Sequence, residues 1–423
     1  MIFKEHKTNI QQILRIIPDG LLSRLALSSK VDYCAKVLQG ERIFYLLLYS
    51  ILKTDKISQR YLEEVFKSHR FKFLFNYSVD LRVTHSSISE RLSKINLDFF
   101  RQAYDAIYFR FNELYTDKEQ LQMRLIRVDS SMVAEAGTKL QKGMVNGCKS
   151  KYKEDKKQIK YTMAYDGKAV CKAKIFTEQT YLCEDHAIPE VINDLIIKDR
   201  EHKNLYLFDR GVCSLTRFND ITANQSRFVC RIKTNRKMKV ERSLMTNDTN
   251  KDLGTLELLQ DDIIYLFDGK TCLMSDVPYR RIIGKRKQEL DITSKATKGK
   301  YRKVENEIHF LTNDFDMTAQ QIADCYKKRW DIEVFFRFIK QELNFKHFLS
   351  VNENGIQVMM YMTLIAAMML MIYKKENGIG FTTAKRRFTI EVEDIVTFLA
   401  VLYYGGDISR YGKLDYYQRF IPK

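Results

Sequence analysis

The sequence predicts a mixed α/β protein, with a mainly helical N-terminal domain in front and a β-rich insertion inside its sheet-forming part. Three observations predict this. Residues 1–120 carry apolar side chains at helical spacing; from about residue 121 short apolar runs alternate with helical patterns; and residues 236–306 become polar and charged with strand-like pieces between glycines. At 423 residues the chain exceeds one average domain, and 45% hydrophobic residues with only 4 prolines are enough for a large core.

Taken in order, Ser87-Ile88-Ser89-Glu90 has capping-box spacing and predicts a helix running through Lys94. The aromatic stripe Phe99, Phe100, Tyr104, Ile107, Tyr108, Phe111 predicts a core-facing helix over Leu97–Leu114. A helix-turn-helix around Thr84–Lys94 is the DNA-binding alternative to an ordinary helix pair. Leu125-Ile126-Arg127-Val128 reads as a strand ending at Asp129, and Ile159–Tyr165 with Ala169–Phe176 as a hairpin turning at Asp166-Gly167. Ala187–Ile197 is a periodic helix, Leu205–Phe208 a buried strand ending at Asp209, and Phe228–Ile232 another strand. Ile263–Phe267 and Tyr279–Ile283 are strand-like pieces of the insertion, and Ile308–Leu311 returns to strand character. One long helix is expected from Thr318 to about Leu343, followed by an apolar helix over 356–375 and a mixed basic tail. The domains expected are 1–120, helical; 121–235 with 307–375, the α/β domain; 236–306, the insertion; and 376–423, a C-terminal tail.

Lys and Arg number 71 against 53 Asp and Glu, a net charge of +18 that predicts affinity for polyanions. The basic residues concentrate at Lys149–Lys160, Arg231–Arg242, Arg280–Lys287 and Lys295–Lys303, which reads as a surface tracking phosphates. The 8 cysteines form no C-x-x-C pair and no zinc spacing, so a reducing cytoplasm without a disulfide framework is expected. The first residues lack a signal-peptide pattern. Val358–Tyr373 is almost wholly apolar but short of the ~20 residues of a spanning helix, so it reads as a buried helix and no membrane partner is expected.

The segment Tyr326-Lys327-Lys328-Arg329-Trp330-Asp331-Ile332-Glu333, continued to Lys340, carries the chemistry. On a helix turning 100° per residue, Tyr326, Arg329, Glu333 and Lys340 fall within about 60° of one another, with Arg337 on the same stripe. Val334, Phe335, Phe338 and Ile339 are the expected apolar anchors. A polar stripe is ordinarily the wet side of a surface helix. A glutamate framed by a phenol and cations has a further use, binding a metal while its neighbours hold phosphate oxygens. Asp129 and Asp209 each follow an apolar strand, where side chains project beyond the carboxyl edge of a sheet. Three carboxylates brought together repel unless a cation neutralises them. Mg²⁺ suits such hard oxygen ligands, and two ions ~3.5–4 Å apart support in-line displacement at phosphorus.

Tyr326-x2-Arg329-x3-Glu333-x6-Lys340 resembles the "YREK" signature of insertion-sequence transposases of the family numbered four. Val128-Asp129-Ser130-Ser131 resembles that family's first aspartate motif and Phe208-Asp209-Arg210-Gly211 its second, and the likeness extends over roughly residues 120–375. The resemblance implies a ribonuclease H-like mixed sheet and a DDE transposase that moves its own element by a cut-and-paste route. It implies Asp129, Asp209 and Glu333 as catalytic metal ligands for two Mg²⁺ ions, with Mn²⁺ able to substitute. Tyr326, Arg329 and Lys340 become contacts to transposon-end phosphates, and Arg337, Trp330 and Arg210 are the further DNA-binding candidates. Partners so implied are double-stranded DNA, both terminal inverted repeats and target, and a second copy of the chain in the end-bound complex; the setting is the bacterial cytoplasm, near the nucleoid. The N-terminal domain becomes the candidate for end recognition, and the C-terminal tail one for dimerisation or DNA contact. Members that pass through a DNA hairpin hold a flipped base on an aromatic of the insertion; the insertion here has no Trp, and Tyr265, Phe267 or Tyr279 is the candidate to take that place. The alternative is a sequence-specific DNA-binding protein derived from a transposase, with cleavage lost.

Overall fold

The computed structural model describes residues 10–54, 56–115, 123–134, 140–145, 157–269, 271–287 and 306–406. Helices α1 (Ile10–Leu14), α2 (Leu21–Ser29), α3 (Gly40–Lys53), α4 (Gln59–Lys67), α5 (His69–Leu74), α6 (His85–Lys94) and α7 (Leu97–Tyr115) come first. Strands β1 (Arg124–Ala134), β2 (Met144–Val145), β3 (Lys157–Tyr165) and β4 (Val170–Phe176) follow, then helices α8 (Glu184–Ala187) and α9 (Pro189–Lys198), β5 (Asn204–Phe208), α10 (Leu215–Ala223) and β6 (Arg227–Arg231). Next are β7 (Met238–Ser243), β8 (Asp252–Leu253), β9 (Leu256–Leu266), β10 (Tyr279–Arg286) and β11 (Glu307–Thr312). Helices α11 (Ala319–Lys327), α12 (Trp330–Glu342), α13 (Glu353–Asn377) and α14 (Phe381–Tyr403) close the described chain.

The chain forms two compact units, one from Met1–Thr116, Met132–Ile159 and Phe335–Lys423, the other from Asp117–Ser131 and Lys160–Val334. In the first, α13 is the central helix and packs against α7, α3, α6 and α14. It is apolar on nearly every side, as a helix enclosed by others must be. Its length and composition are enough to cross a membrane, but 78% of its apolar stretch is buried among these helices. Asn354 at its start donates to the Leu92 and Ile95 carbonyls at 3.0 and 2.9 Å, and the Tyr373 hydroxyl meets the fully buried Glu391 at 3.0 Å. Two expectations need correction. Helix α6 starts at His85, because Thr84 and Ser87 cap each other reciprocally and so outcompete the later Ser87–Glu90 box. Residues read as a mixed tail form the 23-residue helix α14, whose Phe388, Ile395, Val396 and Phe398 are buried.

The second unit is built on one sheet, in the order β3-β1-β5-β6-β11-β10-β9-β7, with β4 beside β3 and β8 beside β9. Strands β1, β5 and β6 are parallel, and β4-β3-β1-β5-β6 follows the ribonuclease H-like order. Central strands that are covered on both faces need apolar residues at consecutive positions, hence the unbroken runs Leu125-Ile126 and Leu205–Phe208. Ile126, Tyr206 and Phe208 pack with α9 and α10 on one face, while Leu125, Leu205 and Leu207 pack with Ile322 and Ala323 of α11 on the other. The β3–β4 turn forms where expected: Asp166 accepts the Lys168 and Ala169 N–H groups at 2.9 Å, and Gly167 takes φ 98°, open to glycine at no steric cost. The strands of the insertion extend the same sheet through β11 instead of forming a separate layer.

Candidate active site at the carboxyl edge of the parallel strands

Parallel register brings the two aspartates level. The last β1–β5 pair is Arg127 with Leu207, so Asp129 and Asp209 each stand two residues further along their strands. Asp209 lies just past the end of β5, as expected. Asp129 does not end its strand: β1 continues to Ala134, and only its pairing with β5 stops at Arg127. The position beyond the parallel pairing is the same in chemical terms, since β5 no longer pairs with β1 there, although β3 still runs along its other side.

The segment expected to be one long helix is two. Helix α11 ends at Lys327 and α12 begins at Trp330, with Lys328 and Arg329 donating to the carbonyls three residues back, at 3.1 and 2.9 Å. Arg127 holds this break. Its Nε donates to the Lys328 carbonyl at 3.1 Å and its Nη2 to Asp331 at 2.9 Å, fastening the joint to β1. The break turns Arg329 inward. It is only 8% exposed, so the stripe from Tyr326 to Glu333 is not the wet side of a surface helix.

Around Arg329 the acids converge. Its Nη2 donates to Glu333 at 2.6 Å, and its Nη1 lies 3.8 Å from Asp129, so one guanidinium bridges the first aspartate and the glutamate. The Tyr326 hydroxyl donates to Asp209 at 3.4 Å, and its ring packs against Phe310 and lies under the Arg329 guanidinium. Burial pushes the Asp129 carboxyl up to about 6, opposed by the Ser130 N–H and Arg329 and reinforced by the negative charges of Glu184 and Glu333. Burial also raises the Tyr326 phenol, whereas Arg329 is held more firmly protonated by its acidic surroundings despite its burial.

The donor chemistry fits a hard divalent cation: carboxylate oxygens from three chain segments, drawn around a single positive charge. Among the described residues no three acids, histidines or cysteines stand close enough together to grip an ion as they are. Between Asp129 and Glu333 the charge is that of Arg329, two of whose nitrogens, Nε and Nη1, are buried without a hydrogen-bond acceptor.

The remaining candidates separate. Arg210 and Trp330 are exposed beside Asp209 and at the start of α12, Trp330 at 53%. Arg337 is exposed on α12, and Lys340 donates to the Met132 carbonyl at 3.4 Å. Of the expected apolar anchors, Phe335, Phe338 and Ile339 are buried but Val334 is exposed. Several basic residues expected to track phosphates are internal. Lys160 is 1% exposed and paired with Glu184, Arg280 is paired with Asp261 at 2.7 Å, and Arg281 with Asp262 at 2.6 Å. The cluster Lys295–Lys303 and residues 149–156 lie outside the described residues. Tyr279 is fully buried against Phe218 and Phe228, with its hydroxyl on Asn219, so it is not free to hold a base. Phe267 instead lines a cavity of about 420 Å³ with Arg210, Lys233, Arg236 and Lys237. The sequence reading missed Glu184 and Asp185, which stand beside both aspartate segments; being adjacent acids near a helix start, they carried no pattern of their own.

A ribonuclease H-like sheet with acids level on adjacent parallel strands, faced by a helix that carries a glutamate and follows an arginine, defines the class of the DDE proteins. The chain belongs to the family described as "Transposase DDE domain", which matches residues 120–369. It is 32% identical over 184 residues to "Putative transposase y4zB" of Sinorhizobium fredii, a match covering 44% of this chain and 46% of that protein. It is 23% identical over 313 residues to "Probable transposase for insertion sequence element IS5377" of Geobacillus stearothermophilus, covering 73% of each. The chain thus spans less than half of the first relative's length. Among solved structures, one described as a piggyBac transposase synaptic complex with hairpin DNA aligns with 98% of this chain and 86% of its own, at 13% identity and a TM-score of 0.46.

Proposed function

We propose that the chain is the transposase of an insertion sequence, cutting DNA at the ends of its element and joining those ends to target DNA by a cut-and-paste route. The observation that carries this reading is the convergence of Asp129, Asp209 and Glu333 on Arg329 and Tyr326. In this reading Asp129, Asp209 and Glu333 would hold two Mg²⁺ ions, or Mn²⁺ in their place, with Arg329 released from the carboxylates to a phosphate. Bound there, the ions supply Lewis-acid activation of the attacking oxygen and charge neutralisation at the leaving one. Arg329 offers a planar fork of donors suited to phosphate oxygens, and Tyr326 orients Asp209 through its hydroxyl. Lys340, Arg337, Trp330 and Arg210 provide further contacts to the DNA strand, and the helical N-terminal region supplies end recognition. Two copies of the chain, each on one end, and a location in the bacterial cytoplasm at the nucleoid complete the reading.

The test is a purified chain incubated with a duplex carrying the terminal inverted repeat of its element, with Mg²⁺ or with chelator. Strand nicking that depends on the cation is expected. Binding without nicking would instead favour a DNA-binding protein that has lost cleavage.

A further inference from the structure

Both aspartate segments lean on one dipeptide outside the three acids. Glu184 opens α8, and each of its carboxylate oxygens has a partner. Oε1 pairs with Lys160 Nζ at 2.9 Å and Oε2 accepts from the Ser130 hydroxyl at 2.8 Å. Ser130 is the residue after Asp129, and its N–H donates to Asp129 Oδ1 at 2.8 Å. The same hydroxyl lies 2.9 Å from Thr162 on β3. Lys160 in turn donates to the Tyr181 and Leu182 carbonyls at 2.9 and 3.1 Å, so its buried ammonium has three acceptors and fixes where Glu184 stands.

The second aspartate segment touches the same pair. Gly211, two residues after Asp209, lies so close to Glu184 that a Cβ there would come within 2.9 Å of Glu184 Cγ. Asp185 Oδ1 accepts the N–H groups of Cys213 and Ser214, both at 3.0 Å, and its carbonyl accepts from Arg217 Nε at 2.8 Å. One side chain therefore fixes the residue following Asp129, and its neighbour fixes the loop following Asp209.

We propose that Glu184 and Asp185 are positioning residues for the reaction, Glu184 aiming Asp129 through Ser130 and Asp185 holding the loop that carries Asp209. Both oxygens of Glu184 have partners, and Oδ1 of Asp185 accepts two backbone donors, so in this arrangement each acts through the segment it holds. A buried lysine behind a carboxylate that touches a serine beside the first reacting acid is more than the fold requires. A sheet and an α8–α9 connection can be held by apolar packing alone, whereas a fixed carboxylate angle needs directional bonds. This inference rests on the reading of Asp129, Asp209 and Glu333 as a divalent-cation site.

The experiment measures Mn²⁺ affinity by electron paramagnetic resonance on the intact chain, with melting temperature recorded alongside. Glu184→Gln and Ser130→Ala should each weaken Mn²⁺ binding about 10-fold, the scale found for partners that orient metal ligands. The double variant should be no weaker than the weaker single, because both act through one bond. Ser130→Ala leaves the Lys160–Glu184 pair intact, so it still tests the idea if Glu184→Gln fails to fold. Asp185→Ala should weaken binding while Asp185→Asn, which keeps an accepting oxygen, should restore it. Affinities within two-fold of the parent in Glu184→Gln and Ser130→Ala, or losses that multiply in the double variant, overturn the proposal alone. Mn²⁺ binding that is equal in the parent and in Asp209→Asn overturns the cation-site reading and this inference with it.

Discussion

Arg127, on strand β1, donates through Nη2 to Asp331 on helix α12 at 2.9 Å, although the two are 204 residues apart in sequence. The guanidinium is 5% exposed and also serves the Leu125 and Lys328 carbonyls. It therefore fixes the helix bearing Glu333 to the strand bearing Asp129. Arg127→Leu would leave two carbonyls without their donor. A loss of about 2–4 kcal/mol in stability is expected, to be read from denaturant unfolding. A change below about 0.5 kcal/mol, the range of ordinary surface substitutions, would show that the joint is held elsewhere.

Asp129 provides a pH test. Its folded-state pKa is raised to about 6 by burial, above the ordinary aspartate value, so the folded protein binds that proton more tightly than the unfolded chain. The contribution favours the folded state at low pH and is lost as pH rises through about 6. Metal-free protein should lose stability between about pH 4 and 6 relative to Asp129→Asn. Urea midpoints across that window will show it, and parallel curves for the two proteins would contradict it.

Lys340 and Arg280 carry opposite expectations. Lys340→Ala should weaken DNA-end binding and reduce the slope of log affinity against log salt by about 1. Arg280→Met should leave that slope unchanged, because Arg280 is buried and bonded to Asp261 and the Met317 carbonyl. Filter binding over a range of salt separates the two. An unaltered slope for Lys340→Ala would place it off the DNA.

What the sequence made legible were features set by neighbours in the chain. Apolar runs marked β1, β5, β6 and β11, the Asp166-Gly167 turn marked its hairpin, and the Tyr326–Lys340 spacing marked the helix carrying Glu333. What it hid depended on distant partners. Nothing in the local pattern from Thr318 to Leu343 shows that Arg127 breaks that helix, since both segments have good helical spacing. Lys160 and Arg280 look like surface charges until Glu184 and Asp261 are seen across the fold. The start of α6 is ambiguous in the sequence because Thr84 and Ser87 offer a second, earlier box. Glu184-Asp185 became visible only once Ser130, Gly211 and Cys213 were brought beside them.

The most direct measurement is strand nicking by Asp209→Asn on an end-bearing duplex in Mg²⁺, with binding to the same duplex measured without the cation. Nicking should disappear while binding stays within a few-fold of the parent. Nicking at the parent's rate would remove Asp209 from the reaction and, with it, the convergence of three acids as the engine of cleavage.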